Sequence, residues 1–193
     1  MSTPSHFNLT ARVLHWTMAL LILTMLFVGV GMVSSVSERP WLVDLHRPVG
    51  IAILLLVIVR LANRLRHPPP PLPSDLPRWQ ATAAHASHWL LYGLMFAMPL
   101  IGWSMLSAGG YPVVMFGGFQ LPAIAPHDPT VYAILRGAHT WFAALLFATV
   151  MMHLGAALFH AWVRRDGVFE AMARGEAQAD ASGRDAVGEH PED

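Results

Sequence analysis

Cysteine and lysine are both missing from this 193-residue chain. Without cysteine there are no disulfides, no thiolate metal sites, no cysteine-held iron–sulfur clusters and no covalent c-type haem attachment. Charge of either sign is also scarce. Charged residues make up 12% of the sequence, against about a quarter in a soluble domain. Basic and acidic side chains cancel to a formal net charge of zero, so nothing in the charge balance points to nucleic acid.

What the chain has instead is apolar length. Hydrophobic residues reach 54% and are gathered into blocks near 13–33, 48–61, 89–106 and 138–163. A bilayer core takes ~20 apolar residues per helix. The second block is short, but His46 and the stem of Arg60 extend it by snorkelling. With their polar ends, the expected spans are 10–34, 41–66, 84–107 and 131–164. The first resembles a cleavable signal peptide only superficially. Its apolar run is long enough to span, and cleavage would discard His15, so it is read as an uncleaved helix. Arg12, Arg60, Arg64, Arg66, Arg78, Arg164 and Arg165 fall on one side of the spans. Arg39, Arg47 and Arg136 fall on the other, beside Glu38, Asp44 and Asp128. Arginine excess marks the cytoplasmic face, which puts both termini inside. Trp16, Trp79, Trp89 and Trp162 lie near that inner boundary, and Trp41, Trp103 and Trp141 near the outer one, as in an aromatic belt. The expected fold class is all-α: an integral membrane four-helix bundle over residues 1–175.

The connectors have their own signals. The inner stretch HPPPPLPSDLPRW, His67–Trp79, cannot be helical, because proline lacks the N–H donor and clashes with the preceding turn. It reads as a semi-rigid extended connector. The outer loop, about 107–130, carries Gly109-Gly110 and Gly117-Gly118 as turn signals. Its apolar residues Val113, Val114, Met115, Phe116 and Phe119 suggest a lid folded back on the bundle. Residues 176–193 form a polar acidic tail, expected to be disordered and cytoplasmic.

Four histidines stand at matching depths in the apolar segments: His15 opens the first, His46 the second, and His139 and His153 share the fourth. An ionisable residue inside a span is costly and is a functional-site hypothesis by default. His139 and His153 are fourteen residues apart. At ~1.5 Å per residue that is about 21 Å along the axis, and at ~100° per residue it returns to nearly the same face. Topology then makes His153 inner, opposite His15, and His139 outer, opposite His46. The same step from His15 lands on Gly29, where a flat macrocycle could approach the backbone. From His46 it lands on Arg60, which could pair with a haem propionate. A lone histidine near a helix end is ordinarily an interfacial residue with a satisfied hydrogen bond, but four in register are not explained that way. Imidazole also suits zinc, copper and nickel, yet no acidic residue lies within the apolar blocks to complete such a site. Two neutral histidines from different helices suit the two faces of a haem iron. The residues therefore point to two non-covalent b-type haems, with a haem-free metal transporter or membrane scaffold as the competing class.

Several stretches carry a family resemblance. They are RVLHW at Arg12–Trp16, LHRPVGI at Leu45–Ile51, VIVRLANRLR at Val57–Arg66, HASHWLLYGLMFAMPLIGW at His85–Trp103 and HLGAALFHAWVRRDG at His153–Gly167. In order and spacing the chain resembles the bacterial cytochrome b-561 family of four-helix di-haem membrane cytochromes. The acidic tail is no part of that pattern. The resemblance implies that His15 and His153 ligate one haem iron, and His46 and His139 the other. Members include superoxide oxidases that reduce quinone, and cytochrome subunits that connect dehydrogenases to the quinone pool.

The remaining polar residues are weighed against bland roles. His85 and His88 share one face at the inner end of the third helix, and His160 lies seven residues beyond His153. Reducing quinone takes protons as well as electrons, so His160 and His88 are candidate donors at an inner quinone pocket. The alternative is ordinary interfacial histidine. No partner for His160 is evident in the sequence, and a neutral donor is expected beside Arg164 and Arg165. His6, His67, His127 and His190 read as solvent-exposed. On the outer side Arg47, Arg136 and Arg39 could steer a small anion such as superoxide or compensate haem propionates. The expected function is electron transfer from the periplasmic side of a bacterial inner membrane, from superoxide through two b haems to quinone. The alternative is a cytochrome b subunit linking a periplasmic dehydrogenase or hydrogenase to the quinone pool. Lipid, quinone and the electron donor are the expected partners.

Overall fold

The computed structural model describes residues 6–115 and 118–175. Phe116 and Gly117 of the expected lid, and the 176–193 tail, lie outside the described residues. Among the described residues, four helices are long and apolar enough to cross a bilayer. They are α1 (Leu9–Ser34), α2 (Arg39–Arg66), α3 (Arg78–Ala108) and α4 (Pro129–Phe159), the last continued by a π-helical turn, His160–Arg164. A short helix, α5 (Val168–Ala173), follows.

Their ends are set locally. Asn8 caps α1 by accepting the Ala11 N–H. Asp128 caps α4 by accepting from Thr130 and Val131, with Pro129 in the first turn, where its missing N–H costs nothing. The proline run ends at Pro77, and α3 begins at once at Arg78, whereas the expected span starts near 84. Apolar blocks mark bilayer thickness. A helix continues past that thickness until its backbone is broken, so α3 starts at the last proline.

α1 packs mainly on α2, α3 mainly on α4, and α2 joins α3. The core is small: Met18 and Ile22 of α1, Ile53, Leu54 and Val57 of α2, and Tyr92 and Met95 of α3. Large apolar side chains such as Leu20, Phe27, Leu55, Phe147 and Met152 point outward. Helices whose backbone polar groups are satisfied internally can present such a surface to lipid. Trp16, Trp41, Trp79, Trp89, Trp141 and Trp162 are exposed as well.

The outer loop folds back on the bundle. Strands β1 (Val113–Val114) and β2 (Gln120–Leu121) pair antiparallel. The Trp103 indole N–H donates to the Pro122 carbonyl at 2.9 Å, and the Ile124 N–H to Ser107 Oγ at 3.2 Å. Val113 is buried, but Val114 and Phe119 are exposed, so these two do not form the underside of a lid. Successive side chains of a strand point to opposite faces, which turns Val114 away when Val113 goes in. At the inner end, α5 returns to α1. The Phe7 N–H donates to the Ala171 carbonyl, and Arg12 Nη2 to the Ala173 carbonyl at 3.1 Å.

Candidate functional site: two histidine pairs

The helices bring His15 to His153, and His46 to His139. Both pairs have ring centroids 6.2 Å apart. Two imidazoles holding one metal through a single nitrogen each, with metal–nitrogen bonds of ~2.0 Å, place their centroids about 6.3 Å apart. The spacing therefore fits one iron between each pair. Among the described residues, no group of three or more His, Cys, Asp or Glu could hold a metal ion. The donor sets are pairs, as axial ligation of a planar macrocycle requires and a tetrahedral zinc site does not.

The outer pair is left polar and unsatisfied. His46 Nδ1 and His139 Nδ1 are buried without a hydrogen-bond partner. A buried, unmatched polar atom costs about 1–3 kcal/mol. A Cβ added at Gly102 of α3 would meet the His139 ring at 3.4 Å, so glycine lets α3 lie close to that ring. A Cβ added at Gly29, expected at this level, would meet nothing within 4 Å. Gly102 was not singled out because the fourteen-residue step was taken only from His15 and His46; taken from His88 on α3 it lands on Gly102.

The inner pair is more crowded. Arg60, expected at this level, reaches His15 Nδ1 at 2.8 Å. Its guanidinium also stands over the Tyr92 ring, 5.7 Å from the centroid, and Arg64 stands at the same distance. The His88 ring is 5.4 Å from that of His153. His88 thus stands at the inner pair itself.

His160 has a partner that the sequence did not reveal. Its Nδ1–H donates to Asp166 Oδ2 at 2.7 Å, and Arg164 Nε donates to the same oxygen at 3.0 Å. Arg164 Nη2 donates in turn to Asp75 Oδ2 of the proline-rich connector at 2.7 Å. Backbone geometry makes this possible. The Arg165 N–H closes the π turn on the His160 carbonyl at 2.7 Å. Arg165 and Gly167 then take left-handed backbone angles, φ 52° and 80°, and the chain doubles back to bring Asp166 under His160. A carboxylate only accepts, so the His160 proton on this side sits on Nδ1. A neutral ring would leave a lone pair on Nε2, so the expected neutral donor to a quinone carbonyl does not fit this contact. The sequence signal was the RRDG run after α4, legible only with the turn known.

The expected outer arginines are divided. Arg39 and Arg47 line one open groove of about 400 Å³ with Asp44, and Arg47 pairs with Asp44 at 3.7 Å. Arg136 lines another groove, of about 470 Å³, with Tyr132 and Trp141.

A sequence profile of prokaryotic cytochrome b561 matches residues 6–175. The chain belongs to the prokaryotic cytochrome b561 family. It is 32% identical to "Cytochrome b561 homolog 2" of Escherichia coli (strain K12) over 89% of this chain and 93% of the relative. It is 30% identical to "Probable superoxide oxidase CybB" of Yersinia pestis over 79% of this chain and 87% of the relative. It is 27% identical to "Cytochrome b561 homolog 1" of E. coli over 84% and 93%. As a cytochrome b561, the chain is a multi-pass membrane electron-transfer protein with an oxidoreductase role, and its family binds b-type haem.

Proposed function

We propose that this cytochrome b561 carries electrons across the bacterial cytoplasmic membrane, from superoxide at the periplasmic face to quinone, through two non-covalent b haems. The observation that carries the reading is the two histidine pairs, each at 6.2 Å and set fourteen residues apart on α4. His15 and His153 would hold the inner iron, and His46 and His139 the outer one. When bound, haem supplies one-electron redox chemistry whose potential the axial imidazoles tune.

The chain's own residues supply binding, charge and protons. A neutral imidazole bound to metal through Nε2 keeps its proton on Nδ1. His15 can then no longer accept from Arg60, and Arg60 is freed to face a propionate carboxylate. At the outer end, Arg47 and Arg136 would contact propionates or an anion. The groove shared by Arg39 and Arg47 would concentrate a small anion, and the relative named a probable superoxide oxidase supports superoxide as that anion. At the inner end His160, with His88 beside the inner pair, would serve the quinone. The balanced reaction takes two superoxide anions, one quinone and two protons to two dioxygen molecules and one quinol.

Stopped-flow mixing tests the donor. Superoxide added to the reconstituted protein should reduce the haem, and reoxidation should depend on added quinone. Haem reducible by quinol but not by superoxide would instead make the chain the cytochrome subunit of a periplasmic dehydrogenase or hydrogenase. The arginine bias gives a second expected result. Reporter fusions after Gly175 should read cytoplasmic, and fusions between Gly109 and Gly118 periplasmic. A periplasmic carboxyl terminus would reverse the direction of electron flow.

A further inference from the structure

We propose that Asp166 makes His160 a charge-balanced proton carrier for the quinone, an inference that rests on the quinone reading above. The His160 and Asp166 side chains are largely buried, 17% and 11% exposed, and their contact is 2.7 Å. Asp166 accepts from both His160 and Arg164, and Arg164 reaches on to Asp75, whose side chain is 58% exposed. Arg165 turns away, donating to the Trp162 carbonyl. Asp166 is the one carboxylate in contact with the ring, and its charge is the one that balances His160 when the ring carries a second proton. Only that form offers a donor at Nε2, because Nδ1–H is already committed to Asp166.

The chemistry follows from this arrangement. Two electrons, arriving one at a time, reduce the quinone and build negative charge on its oxygens. The Nε2–H bond of His160 breaks and its proton passes to one carbonyl oxygen. The electron pair of that bond stays on the ring, which remains hydrogen-bonded to Asp166 through Nδ1. Inner-side water returns a proton to Nε2 and protonates the other quinone oxygen, completing the quinol. Asp166 touches neither quinone nor haem. It is a positioning residue that also supplies the balancing charge.

Asp166→Asn separates these two contributions. Asparagine still offers an oxygen to Nδ1–H but removes the charge. With outer-side reduction and haem spectra unchanged, both Asp166→Asn and Asp166→Ala should slow the limiting rate of reoxidation by added ubiquinone by ~10-fold. The quinone concentration giving half that rate should stay within ~2-fold, since a step made only as charge develops lowers kcat and not binding. His160→Ala/Asp166→Asn should be no slower than His160→Ala alone. In protein carrying 15N-labelled histidine, NMR should find a proton on His160 Nδ1 in the wild type and lose that preference in Asp166→Ala. A wild-type rate in Asp166→Asn with a slow Asp166→Ala would reduce Asp166 to ring orientation and overturn the charge-balance proposal. Wild-type rates in both, or an additive double variant, would overturn it too. A wild-type rate in His160→Ala would instead remove His160 from the quinone site and place the quinone elsewhere.

Discussion

Purified His46→Ala protein should carry about half the wild-type haem, with the inner site intact, because each iron loses its hold when one axial ligand is removed. The outer pair gives the cleaner test. Its two rings stand 6.2 Å apart with both Nδ1 atoms unpaired, and among the described residues the ring contacts at that end involve no third histidine. At the inner end His88 stands 5.4 Å from His153, close enough to substitute as a ligand. The reciprocal variant is therefore His15→Ala combined with His88→Ala, which should lose the other half. Pyridine haemochrome analysis per mole of purified protein measures both. Full haem content in His46→Ala would sink the outer assignment, whatever the inner variant shows.

His160→Ala should slow reoxidation of the haem by added quinone by ~10²-fold, the scale of removing a donor aimed at developing charge. Haem content, visible spectra and reduction from the outer side should be retained, since His160 lies seven residues beyond His153 and contacts Asp166. The measurement is single-turnover reoxidation of pre-reduced protein over a range of quinone concentrations. Wild-type reoxidation would make His160 a residue of the turn after α4, tying α4 to Asp166, and would move the quinone elsewhere. The bland reading of an interfacial histidine with a satisfied hydrogen bond is met in one respect, for Nδ1 is satisfied. The functional reading depends on the other nitrogen.

Much of the site could be read before the fold was known, for a reason specific to membrane helices. Apolar length selects the spans, their alternation orders the helix ends, and helical rise converts residue number into depth. Those three quantities say that His139 and His153 lie at different levels, and which partner stands at each. They fail where depth no longer determines position. Val113 and Val114 are equally apolar neighbours, yet strand alternation buries one and exposes the other. Arg47 and Arg136 share an expected depth but line different grooves. Gly102 meets His139 across two helices, a contact set by how α3 is rotated against α4.

The sequence by itself determined four crossings, two levels of histidine and the absence of any thiolate chemistry. Each follows from composition and from the fixed geometry of a helix in a layer of known thickness. Only the tertiary structure decided what each polar side chain touches. Arg60 reaches across from α2 to His15 of α1, and Arg164 ties the α2–α3 connector to the end of α4. Asp166 meets His160 because a π turn and two left-handed residues reverse the chain after α4. Such contacts depend on backbone angles and on helix rotation, which residue spacing along a straight helix does not encode.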